Sequence, residues 1–540
     1  AIFYTIVYSI LIYFAFTFQS LILRRQWIEV ERLPVPYATM AVSMIENVAT
    51  IDKASASPSK RSASKLILYS ALACFLFHMI DFPKMIDPTI PIMLPAWTNG
   101  WCKWMYQLYP LFPGLADIWP GARMVISFGP IYAISALMLL PTDILFTAWV
   151  LFVIFEILLA PLFVQLGLYA WDPTWAEDFL PFRPQFMGSF HIIRIASFGY
   201  LWIGIFSVLF QWRYIVGTLK GLIGKPEFPE DQEVMPYRWL WIGLILASIA
   251  FIGLHVYIGA NPLPAILGVI YLHLINLGLT RIKAEAGPVY GFEFAAISGV
   301  DRGNGILNYW IIDGRYPPVI TKETFTRNYF VSWVMIDRNN HCWTGMANGS
   351  VSYAFIDCLK VLSDTKTNLK QAYVAMTLAF LIATIIAPFI ALWQIYTVGS
   401  LNVDGLRYWW TTWSGAGGGR PLFDMEPENA ASQGPPWVDL GISGVVILAI
   451  MLARVRFPRF PLHPVGIPLG LVQTPYNLWF HYLLAWLIKY LIIRIGGAKL
   501  WMEKGLPVAV GLTAGGLLAY VVINHIGHFF TPGWFVWGPI

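Results

Sequence analysis

The sequence predicts an all-α, polytopic integral membrane protein, a helical bundle of about ten to twelve spans, some of them discontinuous. Three observations predict it. Hydrophobic residues make up 57% of the 540 residues and charged residues only 12%, where a soluble chain carries about 25% charged residues. So few polar side chains cannot cover a water-facing surface. Continuous apolar runs recur along the whole chain, most of them long enough for the ~20 residues of helix that cross a hydrocarbon core. These runs are continuous, whereas a membrane β-barrel would show short alternating strands.

Taken in order, the runs fall near 1–23, 66–80, 144–169, 195–212, 239–260, 263–280, 372–397, 437–453, 476–493 and 506–524. The first opens at Ala1 with no basic head and no small-residue cleavage site, so it does not read as a signal peptide, and it closes on Leu23-Arg24-Arg25, an anchoring stop. This start implies that an earlier part of the protein has been removed or is a separate chain. Lys and Arg collect in cytoplasmic loops. The segments 24–65, 211–238 and 281–370 and the turn Arg454–Arg459 are rich in them, and the alternating connections 82–125, 171–190 and 398–436 are poor. One orientation satisfies all of these, with 281–370 cytoplasmic and 398–436 external in a cell (inner or plasma) membrane.

That orientation constrains two irregular regions. Residues 126–140 and 144–169, broken at Pro141, should supply two crossings if the first is a short or discontinuous helix. The stretch Leu462–Thr474, with Pro464, Gly466, Pro468 and Gly470, should cross or dip as a broken segment. Broken backbone at membrane depth is tolerated only inside protein or beside a water-filled cavity, and transporters place it beside their substrates. A two-part architecture is hinted at by an echo: RRQWIEVERLPVPYATM after the first run and RVRFPRFPLHPVGIPLG after the run 437–453. Each is a basic-aromatic patch, a proline element and a small-residue stretch. The chain divides on this reading into a membrane half 1–280, a mainly cytoplasmic or re-entrant linker 281–370, and a membrane half 371–540.

Several classes of function are excluded. The formal charge of +5 is small for this length and points to no nucleic acid. Cys74, Cys102, Cys342 and Cys358 show no CxxC spacing, which gives neither a zinc site nor a disulfide framework. Gly415–Gly419 lacks the Lys-Ser/Thr of a phosphate loop, and no nucleophile elbow or HExxH occurs. His78, His255, His481, His525 and His528 are scattered rather than paired. The expectation is no enzyme, no cofactor and no metal site. Trp97, Trp101, Trp104 and Trp119 in one outer loop and Trp409, Trp410 and Trp413 in another form either an interfacial belt or an outer docking surface.

Three stretches carry a resemblance. LRRQWIEVERLPVPYATM (Leu23–Met40), TRIKAEAG ending at Gly287, and RFPLHPVGIPLG followed by LWFHYLLAWLIKYLIIRIGGAKLW resemble an uncharacterised prokaryotic membrane-protein family related to the oligopeptide transporter superfamily. ERLPVPYATM is also similar to the Leu-x-x-Pro-small-residue motif of oligopeptide and metal-chelate transporters. The resemblance implies an oligopeptide-transporter-like fold and secondary, commonly proton-driven transport of peptides or metal chelates. Relatives carry further helices before the first of these stretches, which implies that a companion membrane subunit or a second copy covers helix 1–23.

Candidate residues follow from the cost of polarity in a bilayer. A carboxylate in the middle of a membrane helix costs ~3 kcal/mol. Glu156 sits mid-run in WVLFVIFEILLAPLFVQ and reads as a proton-coupling group or as a neutral carboxyl bonded between helices. Asp143, after Leu-Pro, is the second such candidate and equally a cap for the helix that follows. His273, Asn276 and Thr280 line one helix face that runs into Arg281, Lys283 and Glu285; with His463, Pro464 and Gly466 of the broken segment they are the candidate path lining. His191 and Arg194 share a face and form an outer anion-facing pair, unless the Arg snorkels to the interface. The expected function is a secondary transporter moving a small solute; the alternative is a transporter-derived, non-catalytic scaffold or anchor subunit of a larger membrane complex. The lipid bilayer is the expected partner in either case.

Overall fold

The computed structural model describes residues 2–48, 58–80, 82–83, 105–107, 112, 114–122, 125–127, 131–169, 171, 192–257, 262–287, 350–398, 437–471 and 478–530. Apolar runs become helices wherever the backbone can satisfy its own hydrogen bonds. In chain order they are α1 (Ile2–Arg24), α2 (Pro36–Val48), α3 (Pro58–Met79), α4 (Leu115–Ile118), α5 (Ile131–Leu137), α6 (Thr142–Phe152), α7 (Ala160–Gln165), α8 (Ile192–Phe210), α9 (Trp212–Leu219), α10 (Tyr237–Tyr257), α11 (Pro262–Ala286), α12 (Ser350–Asp364), α13 (Leu369–Val398), α14 (Trp437–Arg456), α15 (Gly466–Leu471), α16 (Leu478–Leu500) and α17 (Leu506–Phe530). Helices α1, α6 and α16 each run on into a π-helical turn, at Arg25–Val30, Val153–Leu158 and Trp501–Gly505. One departure from an all-α chain is a two-stranded antiparallel ribbon of β1 (Met105–Gln107) and β2 (Val125–Ser127).

The protein is a helical membrane protein. Among the described residues seven segments are long and apolar enough to cross a membrane, or nine if each of two bent pairs counts once. The seventh, Trp479–Ile523, is 45 residues long. Straight, it would span about 67 Å, more than twice a ~30 Å core. It turns instead at Gly497, whose φ of 71° suits glycine, so α16 and α17 are two limbs. The expected pair of crossings at 126–140 and 144–169 takes the form of a short first helix and a sharp bend. Helix α5 rises only ~10 Å, and the chain bends by 117° between it and the α6 limb, so the pair is a broken span or a re-entrant loop.

The chain forms two compact units that interleave in sequence, where the expected division was contiguous: 1–35, 193–284 and 289–448 in the first, 36–192, 285–288 and 449–540 in the second. In the first unit α1 packs on α10, α12 and α13. The span Ile6–Val30 is 61% buried within the chain. Helices α8 and α11 touch backbone to backbone: a Cβ on Gly278 would lie 1.8 Å from the Tyr200 carbonyl, and one on Gly204 2.0 Å from that of Leu274. In the second unit α3 lies along α17, where Gly511 and Gly515 meet the Ile67 and Ala71 carbonyls at 2.4 and 2.0 Å from their would-be Cβ positions. Small residues four apart let membrane helices approach this closely, and close packing replaces the absent hydrophobic drive between them.

Candidate functional site

In the second unit two broken segments pack against each other. Pro141 ends the turn after α5 and precedes the first residue of α6, so the carbonyls before it lose their helical partners. Lys489, 7% exposed on α16, donates its ammonium to the Leu140 carbonyl at 2.6 Å and lies 4.6 Å from the centre of the Trp501 ring. Asp143 sits in the first turn of α6 rather than at the cap, where an acid is favoured by the helix dipole. Its carboxylate pairs with Arg454 at 2.7 Å, and Arg454 also donates to the Leu462 carbonyl at 3.2 Å.

The second broken segment runs extended from Leu462 and forms α15, every residue of which is buried. It lies on α6 through two glycines. A Cβ on Gly466 would meet Thr147 at 2.5 Å, and one on Gly470 the Ala148 carbonyl at 2.4 Å. The Thr147 hydroxyl accepts the His463 amide at 2.8 Å. Val465 donates its amide to His463 Nδ1 at 3.3 Å, which leaves the ring proton on Nε2, facing Glu285 at 3.7 Å. Glu285, His463, Thr147, Asp143 and Arg454 thus form one string of polar groups around the crossing of α6 and α15. Pro464 lies in the turn that leads into α15.

Glu156 stands at the other end of the α6 limb, ~20 Å along the helix from Asp143. It is fully buried in the π-helical turn, and such single turns recur at functional sites. Trp119, expected in an outer loop, donates its indole N–H to the Ile157 carbonyl of the same turn at 2.6 Å. The two proton-coupling candidates are therefore separate sites.

In the first unit the candidates form a seam along α1. Gln19 donates to the His273 carbonyl at 3.0 Å and accepts from Asn276 at 3.0 Å. His273 lies 3.3 Å from the Gln19 oxygen through Nδ1 and 3.0 Å from the Ser248 hydroxyl through Nε2. Thr280 bonds back to the Asn276 carbonyl at 2.7 Å. Arg281 pairs with Glu31 and lies over Trp27 at 5.8 Å, and Gln211 bridges Glu31 and Trp27 at 2.7 and 3.1 Å. Arg24 grips the buried Glu233 in two bonds, of 2.9 and 2.8 Å. A half-open cavity of about 170 Å³ beside the seam is walled by Gln19, Trp27, Ser207, Gln211, Trp241 and aliphatic neighbours. Lys283 pairs with Asp357 of α12 at 3.2 Å. Burial pushes the Asp357 carboxyl above the usual range, partly offset by the Lys283 ammonium.

The candidate path lining thus divides: His273, Asn276, Thr280, Arg281 and Lys283 belong to the first unit, and Glu285, His463, Pro464 and Gly466 to the second. His191 and the side chain of Arg194 lie outside the described residues, as do Trp97, Trp101, Trp104 and the loop 399–436. Among the described residues no three His, Cys, Asp or Glu side chains gather as a metal site requires. Sequence reasoning missed Lys489, although a lysine inside LLAWLIKYLII obeys the same rule that singled out Glu156. It also missed Gln19, Glu233 and the glycine pair Gly511/Gly515, whose spacing was there to be read, and it named Gly466 and Gly470 as part of a broken segment without reading their spacing as a helix contact.

The chain belongs to DUF6785, a family of unknown function, whose model matches residues 3–537. No curated protein matches the chain.

Proposed function

We propose that this protein is a secondary transporter that moves a small solute through the second unit, driven by protons. The crossing of α6 with α15 carries the reading: two interrupted helical segments meet with Asp143, Arg454, His463, Glu285 and Lys489 around them. Broken helices with polar groups at their ends are how transporters hold a solute at membrane depth. Glu156, buried in an apolar π-turn, is the group that takes up and releases the proton. The resemblance to oligopeptide and metal-chelate transporters assigns the solute to those classes. Basic-loop asymmetry puts 281–370 on the cytoplasmic side of the cell membrane and 398–436 outside.

The test is uptake into proteoliposomes under an imposed pH gradient, with labelled di- and tripeptides and ferric hydroxamate chelates as probes. One of these classes enters with the proton gradient; Glu156→Gln keeps counterflow exchange and loses gradient-driven accumulation. Failure of every probe with the wild type, or undiminished gradient-driven uptake by Glu156→Gln, overturns the reading.

A second reading, a scaffold subunit within a larger membrane complex, is favoured by α13. Its apolar window Leu369–Ile390 is only 6% buried by the rest of the chain, so lipid or a companion subunit surrounds almost all of it. Gentle solubilisation and mass determination separate the two, since co-purification with other membrane subunits and no transport supports the scaffold.

A further inference from the structure

The limbs α16 and α17 and the short α5 enclose a crevice of about 450 Å³ in the second unit. Its walls are Ile131, Ile134 and Met138 on one side and Ile488, Ile492 and Leu512 on the others. Ser135, a hydroxyl on the lining, is already bonded to Thr513 at 2.8 Å. The charged group on the lining is Lys504, exposed at the turn between the limbs. Arg494 and Lys499 are exposed at the same turn, and its one acid, Glu503, faces Lys499 at 3.9 Å. The turn joins two helices each long enough to cross the bilayer, which places it at the membrane surface.

From that turn the apolar wall descends. Lys504 to Leu512 covers ~12 Å of helix rise, close to the ~15 Å of one hydrocarbon leaflet. An acyl chain is thin enough, and the surplus of positive charge at the mouth selects what sits above it.

We infer that this crevice is a binding site for one anionic phospholipid, its acyl chain between α5, α16 and α17 and its phosphodiester at Lys504 and Arg494. The inference does not depend on the transport reading. Native mass spectrometry of the full chain in mild detergent, titrated with dioleoylphosphatidylglycerol or dioleoylphosphatidylcholine, tests it. The wild type retains phosphatidylglycerol in preference. Lys504→Gln, at an exposed position, lowers that retention about five-fold, the contribution of one surface basic residue, and leaves phosphatidylcholine unchanged. Ile492→Trp fills the groove and lowers both. Arg238→Gln, an exposed basic residue of the first unit, changes neither. Equal retention of the two lipids by the wild type overturns the inference. So does a Lys504→Gln that retains phosphatidylglycerol normally, or an Arg238→Gln that loses as much as Lys504→Gln.

Discussion

The two units solve the problem of intramembrane polarity in different ways. In the first, side chains satisfy side chains: Arg24 with Glu233, Gln19 with Asn276, Arg281 with Glu31. In the second, side chains satisfy backbone that a break has released: Lys489 on the Leu140 carbonyl, Arg454 on that of Leu462, Thr147 on the His463 amide, Trp119 on the Ile157 carbonyl. The seam of the first unit is closed by paired side chains, although one of its members, Gln211, sits at the 65° bend between α8 and α9. Backbone held by single side-chain bonds at a break can exchange partners at small cost, which is what alternating access needs. On the transport proposal, the comparison expects rigidity of the first unit and movement of the second.

The largest effect that would break this comparison concerns Arg24. Arg24→Ala leaves Glu233 buried without its cation and should cost on the order of 3–5 kcal/mol, read as a large fall in Tm in detergent. Arg24→Met with Glu233→Leu should recover most of it. Transport per folded molecule should survive in the double variant; its loss would mean that the seam takes part in movement.

A somewhat smaller, pH-dependent effect is expected at Lys283. Removing it by Lys283→Met takes away the group that lowers the Asp357 carboxyl, so burial raises that carboxyl further. The penalty falls on the charged form. It is absent below the ordinary Asp range and grows as pH rises through the raised value. Lys283→Met should therefore lower Tm by more at pH 8 than at pH 4, and Asp357→Asn in the same background should flatten the difference. Equal losses at both pH values would show that the pair is not electrostatic in origin.

Helix crossing comes next. Gly470→Leu puts a side chain where Ala148 backbone stands and should cost ~1–3 kcal/mol by overpacking, with transport abolished because α15 can no longer sit on α6. The smallest effect sharpens the comparison most. Thr147→Val removes one hydrogen bond to His463, worth ~1 kcal/mol, yet should reduce transport by far more than it reduces Tm. A proportional loss of both would place the second unit in the same rigid class as the first.

Much of the fold was legible in the sequence. The apolar runs reappear as helices with ends displaced by a few residues, and the interruptions at Pro141 and around Pro464 are breaks in the structure. The site was legible in part. Glu156 stood out because a carboxylate has no reason to be in an apolar run, and Lys489 would have stood out by the same argument. The partners of Arg24, Arg281 and His463 were not legible. Glu233 is 209 residues from Arg24, Glu31 is 250 from Arg281, and nothing local distinguishes a paired charge from a solvated one.

By itself the sequence determined that the chain is a membrane-spanning helical protein and that it breaks at Pro141 and before Gly466, though not that it bends at Gln211 and Gly497 or that α13 runs unbroken through Pro388. Both follow from local chemistry: hydrocarbon requires internally bonded backbone, and proline removes a donor wherever it falls. Only the tertiary structure decided which broken segments meet, which glycines lie against which carbonyls, and that residues adjacent along α11, Lys283 and Glu285, serve different units. Those choices depend on packing between distant helices, which membrane helices settle by shape and by hydrogen bonds between surfaces that no single stretch of chain contains.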